Sequence, residues 1–433
     1  MNVTMHSKKL LKPSIPTPNH LQKLNLSLLD QIQIPFYVGL IFHYETLSDN
    51  SDITLSKLES SLSETLTLYY HVAGRYNGTD CVIECNDQGI GYVETAFDVE
   101  LHQFLLGEES NNLDLLVGLS GFLSETETPP LAAIQLNMFK CGGLVIGAQF
   151  NHIIGDMFTM STFMNSWAKA CRVGIKEVAH PTFGLAPLMP SAKVLNIPPP
   201  PSFEGVKFVS KRFVFHENAL TRLRKEATEE DGDGDDDQKK KRPSRVDLVT
   251  AFLSKSLIEM DCAPKELTKS RPSLMVHMMN LRKRTKLALE NDVSGNFFIV
   301  VNAESKITVA PKITDLTESL GSACGEIISE VAKVDDAEVV SSMVLNSVRE
   351  FYYEWGKGEK NVFVYSSWCR FPLYEVDFGW GIPSLVDTTA FPFGLIVLMD
   401  EAPAGDGIAV RACLSEHDMI QFQQHHQLLS YVS

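Results

Sequence analysis

Between Pro181 and Pro201 the chain carries seven prolines, four of them consecutive at 198–201. Proline fixes its own φ, has no backbone N–H and pushes the preceding residue towards an extended conformation, so neither a helix nor a central strand is expected to run through such a stretch. It reads as an extended crossover, and it divides 433 residues into two parts, each long enough for its own core. The expected organisation is an N-terminal domain over 1–185, a proline-rich crossover loop over 186–206 and a C-terminal domain over 207–433.

Just before that break lies the segment with the most chemistry. Leu144, Val145, Ile146, Ala148 and Phe150 form a nearly continuous apolar run after Gly142-Gly143, which suits a buried strand. Beyond Asp156, the residues Met157, Met160, Met164, Trp167, Ala168 and Cys171 recur at three- and four-residue intervals, one face of a helix. Asp156 then stands at the helix N-cap, where a carboxylate accepts backbone N–H bonds at the positive end of the macrodipole. His152 is left in the turn, and Gly155 is expected to leave room for a ligand beside the ring. Two roles are open for this histidine. It is either a core imidazole satisfied by backbone, or a base, since imidazole titrates near neutral pH and can both take and return a proton.

Composition excludes several classes of function. The formal net charge of −16 argues against general binding to nucleic acid or anionic membranes. The N-terminal stretch has no apolar core of signal-peptide length and no run approaches a membrane span, so a cytoplasmic protein is expected. Eight scattered cysteines read as reduced, mostly buried thiols. Cys81 and Cys85 lack the second paired cluster of a zinc site, so no metal is expected.

The second half opens with an alternating strand at Lys207–Phe215. It is then interrupted by EEDGDGDDDQKKKR over Glu229–Arg242, a solvated loop by composition. An EF-hand register from Asp231 fails, with Asp236 where glycine is needed and Arg242 where a bidentate glutamate is needed. Ser244 and Asp247 have capping-box spacing before the apolar series Val246, Val249, Phe252, Leu253 and Leu257. Lys241, Arg242, Ser244 and Arg245 at that helix start form a candidate seat for a phosphate, the alternative being a solubilising charge run. Strands are expected near Met275–Asn280, Phe297–Val301, Val362–Trp368, Leu395–Met399 and Ile408–Cys413. Interleaved with helices, they indicate an α/β protein with mixed sheets.

Taken in order, these segments resemble the BAHD acyltransferases, plant enzymes that transfer acyl groups from CoA. His152-x-x-x-Asp156 and Asp377-Phe-Gly-Trp-Gly381 match the family's two signatures. Lys12-Pro-Ser-Ile-Pro-Thr-Pro18, Leu26-Ser-Leu-Leu-Asp-Gln31, Val209-Ser-Lys-Arg-Phe213, Asn280-Leu-Arg282 and Ser366-Ser-Trp368 match as well. The resemblance implies a two-domain fold related to chloramphenicol acetyltransferase, mixed sheets flanked by helices, with a solvent channel between the domains. It implies acyl-CoA as co-substrate, no permanently bound cofactor, and a small-molecule alcohol as acceptor. It also makes His152 general base and acid and Asp156 a structural support paired with an arginine. Asp377, Gly379 and Gly381 become architectural, and Arg282 the partner of either Asp156 or Asp377. Ser366 and Trp368 are implied to line the channel and are candidates for stabilising the oxyanion. Relatives commonly have proline where this chain has His71, which is read as a tolerated substitution. The expected function is transfer of a short acyl group, acetyl above all, to a specialised metabolite by a monomer, with an acyl sugar as favoured acceptor. An alkaloid or other small alcohol is the alternative, and a catalytically silent CoA-binding relative is the rival from another class.

Overall fold

The apolar run before His152 forms the strand Leu144–Asn151, and seven of its eight residues are buried because it has a neighbour on each edge. The computed structural model describes residues 1–45, 51–106, 113–123, 127–192, 195–229, 242–262, 271–290, 292–306, 311–401 and 405–433. This strand belongs to a six-stranded mixed sheet. Its spatial order is Val3–Leu11, Ile90–Phe97, Ala132–Phe139, Leu144–Asn151, Tyr37–Tyr44 and Leu385–Asp387. Ile90–Phe97 and Ala132–Phe139 run parallel while the other pairs are antiparallel. The helix Ser51–Leu68 turns Leu58, Leu62 and Leu66 inward, and the helix Met157–Val173 packs against it. A small antiparallel sheet of Lys23–Asn25, Val82–Glu84 and Arg75–Asn77 completes the first unit's strands among the described residues.

A second six-stranded sheet runs Phe298–Ser305, Ser273–Asn280, Asn361–Ser367, Leu395–Asp400, Ile408–Ser415 and Phe208–Phe215 in spatial order. Asn361–Ser367 pairs in parallel with both its neighbours, whereas the other pairs are antiparallel. Its core is built from Phe215, Leu223, Phe252, Leu253, Tyr365 and Leu398, drawn from the sheet and the helices Glu217–Glu229 and Arg245–Cys262. The expected capping box is present. Asp247 accepts the Ser244 N–H at 2.8 Å, and Ser244 Oγ accepts the Asp247 N–H at 3.2 Å.

The compact units are not the two halves of the chain. One comprises 1–194, 289–297 and 371–390, and the other 195–288, 298–370 and 391–433. The break near 195 falls inside the proline-rich stretch, but the expected continuous C-terminal domain over 207–433 gives up two segments. The reason is strand pairing: Leu385–Asp387 finds its partner in Tyr37–Tyr44, where Val386 stands opposite Phe42. The stretch is also not wholly extended, since Leu185–Leu188 makes one helical turn that includes Pro187. Proline is tolerated there because a first-turn N–H has no intrahelical acceptor to lose.

One close approach fixes the path of the strand leading to His152. A Cβ at Gly147 would lie 1.9 Å from the Leu116 carbonyl oxygen, so a side chain there has to displace backbone. We expect Gly147→Ala to destabilise the protein by about 1–3 kcal/mol, read as a lower denaturant midpoint. A midpoint equal to wild type would mean that the Leu116 turn can retreat.

Candidate active site

His152 follows the strand Leu144–Asn151 directly and opens a single 3-10 turn, His152–Ile154. Its backbone N–H donates to Phe36 O at 2.8 Å, which extends the antiparallel pairing beyond Tyr37 and Asn151. The Phe36 ring lies 5.1 Å from the imidazole, centroid to centroid. The ring is half-buried, with Nδ1 enclosed by protein. Burial lowers its pKa from the ordinary 6.5, and the nearby Asp156, the His152 carbonyl and Asn296 oppose that shift only in part. The neutral, proton-accepting form is therefore favoured at neutral pH.

Asp156 is the N-cap of the helix Met157–Val173, as its position in the sequence requires. Its Oδ1 accepts the Thr159 N–H at 3.1 Å and its Oδ2 accepts the Phe297 N–H at 3.0 Å. The carboxylate thus ties the helix start to the segment 289–297, which arrives from the other side of the proline-rich break. The Thr159 hydroxyl fastens the same segment, donating to Gly295 O at 3.1 Å and accepting the Gly295 N–H at 3.0 Å. Gly155 also serves this packing: a Cβ there would meet Thr159 Cβ at 2.6 Å.

The second signature grips the opposite end of the same helix. Arg172, in its last turn, donates to Asp377 Oδ2 at 2.9 Å. Asp377 Oδ1 accepts the N–H groups of Gly379 and Gly381 at 2.8 and 3.0 Å. Burial pushes this carboxyl up, but the Gly379 and Gly381 amides and the Arg172 guanidinium outweigh it and hold its pKa below the carboxylate norm. Gly379 and Gly381 have φ of +116° and +111°, a region that favours glycine. Phe378 is buried edge-on against Trp167 at 4.7 Å, and Tyr44 donates its hydroxyl proton to Val376 O at 2.7 Å. From Asp156 to Arg172 the helix rises about 24 Å, so Asp377 is remote from His152. Asp377 has Arg172 as its cation, which answers one of the two pairings open for Arg282. The Arg282 guanidinium donates to Asn280 Oδ1 at 3.3 Å within the second unit.

Ser366 and Trp368 lie at and just beyond the end of the strand Asn361–Ser367 in the second unit. Trp368 is buried and donates its indole N–H to Ser366 Oγ at 3.1 Å. A cavity of about 1000 Å³ opens in this unit, lined by Ser244, Arg245, Arg284, Thr314, Ser367 and Arg370 among others. Of the residues of the expected phosphate seat, Ser244 and Arg245 line this cavity. The Ser244 N–H is taken by Asp247, and Arg245 is held by Asp400 at 2.8 Å. Arg242, which is exposed, also lines the cavity; Lys241 lies outside the described residues.

His71 is buried among Tyr69, Tyr70 and Phe183 rings, and burial pushes its pKa down to about 3. It is a neutral core group. Asp30, Thr159, Arg172 and Asn296 were not singled out from the sequence. Asp30 sits within the matched segment Leu26–Gln31, and Gly295-Asn296 reads only as the lead-in to a strand. Asn296 is fully buried and donates from Nδ2 to His152 O at 2.9 Å.

Residues 1–429 match the Transferase family, whose plant members are the BAHD enzymes. The chain belongs to the BAHD acyltransferases. As such it is an acyl-CoA-dependent acyltransferase, and acyl-CoA is its co-substrate. It is 98% identical over 433 residues, all of both chains, to an acetyl-CoA-benzylalcohol acetyltransferase of Clarkia breweri. The crystal structure of vinorine synthase superposes with a TM-score of 0.84 at 29% identity, covering 100% of this chain and 99% of that one. TRI101 of F. sporotrichioides, solved with coenzyme A and T-2, superposes at 0.71 with 19% identity over 95% of this chain and 99% of that one, sharing the fold. Among the described residues of this BAHD acyltransferase, no helix is long and apolar enough to cross a membrane.

Two outcomes follow for the BAHD fold. Asp377→Ala should cost more stability than Arg172→Ala. The first removes the acceptor for two turn amides, worth about 1–3 kcal/mol, whereas the half-exposed ion pair is worth about 1 kcal/mol or less; chemical denaturation of both variants reads the order. His71 has a folded pKa below its unfolded one, so its contribution to stability falls as pH drops from 6.5 towards about 3. In His71→Leu the loss of melting temperature between pH 6.5 and 4 should be shallower than in wild type, and an unchanged slope would remove His71 from the acid response.

Proposed function

We propose that this enzyme transfers the acetyl group of acetyl-CoA to the hydroxyl of benzyl alcohol or a close aromatic analogue. The observation that carries this is the 98% identity to an acetyl-CoA-benzylalcohol acetyltransferase over the whole of both chains. It favours a small aromatic alcohol over the acyl sugar expected from the sequence alone. The proposal extends to a monomer, as the family resemblance implies, acting in the cytosol, as the absence of a signal-peptide-like or membrane-spanning run in the sequence suggests.

In the proposed mechanism His152 is the base. With Nδ1 enclosed, Nε2 is the proposed proton acceptor, and the lowered pKa favours the neutral ring that can take the hydroxyl proton. The alcohol oxygen bonds to the thioester carbonyl carbon as the proton moves to His152. Collapse of the tetrahedral intermediate breaks the carbon–sulfur bond, and His152 returns the proton to the departing thiolate. No acyl-enzyme is required. Ser366 is the proposed oxyanion donor: the Trp368 indole occupies its oxygen, which leaves the hydroxyl proton to be donated. Arg242, Arg284 and Arg370, lining the cavity of the second unit, are the proposed cations for the CoA phosphates. Asp156 holds the turn that carries His152 and takes no part in the proton transfer.

The test is product formation from acetyl-CoA and benzyl alcohol, followed as benzyl acetate by gas chromatography. His152→Ala should lower kcat by about a thousandfold with CoA binding retained. The acid limb of the wild-type pH profile should fall below 6.5, since burial disfavours the imidazolium. Preferential transfer to acyl sucroses, or undiminished turnover in His152→Ala, would overturn the proposal.

A further inference from the structure

Asp30 is buried and its two oxygens are fully employed. Oδ2 accepts the Ser27 N–H at 3.0 Å and the Ser27 hydroxyl at 2.7 Å. Oδ1 accepts the Asn296 backbone N–H at 2.7 Å and the Asn296 Nδ2 at 2.9 Å. The second hydrogen of that same Nδ2 goes to the His152 carbonyl oxygen at 2.9 Å. A carboxylate on the short helix Leu28–Gln31 thereby sets the orientation of an amide, and the amide holds the peptide from which the imidazole projects. Burial raises the Asp30 pKa while the Ser27 and Asn296 donors oppose the rise.

We propose that Asp30 is a positioning residue for acyl transfer, acting through Asn296 on the His152 carbonyl. This rests on His152 being the base. A capping residue alone would need only the Ser27 contacts, which close the box at the start of Leu28–Gln31. The bonds to Asn296 join residues 266 apart in the chain, and they end on the one peptide whose tilt decides where the ring points. The carboxylate is required because every neighbour is a donor. An asparagine at 30 meets Ser27 or Asn296 with its own NH2 whichever way its amide is turned, so one pair becomes donor against donor.

The experiment compares Asp30→Asn and Asn296→Ala with wild type and with His152→Ala, using acetyl-CoA and benzyl alcohol. Asp30→Asn should lower kcat about 10- to 100-fold, the effect of a displacement of the base by a fraction of an ångström to one ångström. The KM for acetyl-CoA should stay within about twofold. In protein labelled with 15N at histidine, the His152 ring signals, identified by their loss in His152→Ala, should move in both variants because the peptide that sets the ring's orientation is no longer held. If Asp30→Asn does not fold, Asn296→Ala carries the same readings. Unmoved His152 signals, or a kcat within twofold of wild type, would overturn the positioning role. If His152→Ala itself turned over normally, the base would be misassigned, a failure distinct from an Asp30 variant that is merely silent.

Discussion

The helix Met157–Val173 is held at both ends, and the position of His152 depends on that clamp. At its start the Asp156 carboxylate bonds the first-turn amide of Thr159 and the Phe297 amide together. At its end Arg172 pairs with Asp377, whose other oxygen is fixed by two glycine amides. Between them Trp167 donates to Leu58 O at 3.1 Å and packs on Phe378. Without the N-terminal bonds the turn from Asn151 to Asp156 would lose its anchor, and His152 sits inside that turn. The two signatures of the family are therefore parts of one mechanical element, although more than 200 residues separate them.

This arrangement separates chemistry from support. In the proposed mechanism the base has to keep a lone pair available, so its direction is best set through the backbone. Here rigidity is supplied to the peptide: Phe36 O receives the His152 N–H and Asn296 donates to its carbonyl. The imidazole inherits its direction from a fixed backbone. Burial encloses Nδ1 and lowers the pKa of the ring, which favours its neutral form.

Local signals in the sequence were sufficient for local structure. The strand into His152, the Asp156 cap, the Ser244–Asp247 capping box and the strands of the second sheet follow from periodicity and cap chemistry, which involve neighbours in the chain. Non-local partners left no comparable trace. Asp30 and Asn296 look like an ordinary helix residue and a turn asparagine until the fold brings them together across 266 positions. The close packing of Thr159 on Gly155 is likewise invisible in the sequence, because it depends on the first turn of the helix folding back on the glycine. The proline break was a sound local marker, but a composition change cannot report that Leu385–Asp387 will pair with Tyr37–Tyr44.

That pairing bears on how the protein comes into being on the ribosome. The first unit needs residues 371–390 both for its sixth strand and for the turn that receives Arg172. Residues up to 390 must therefore leave the exit tunnel before the unit carrying His152 can close, even though His152 itself emerges more than 200 residues earlier. A nascent chain in the interval exposes the Tyr37–Tyr44 edge, which is a template for mispairing. Vectorial synthesis thus postpones the assembly of the turn that carries His152 until segment 371–390 has been made.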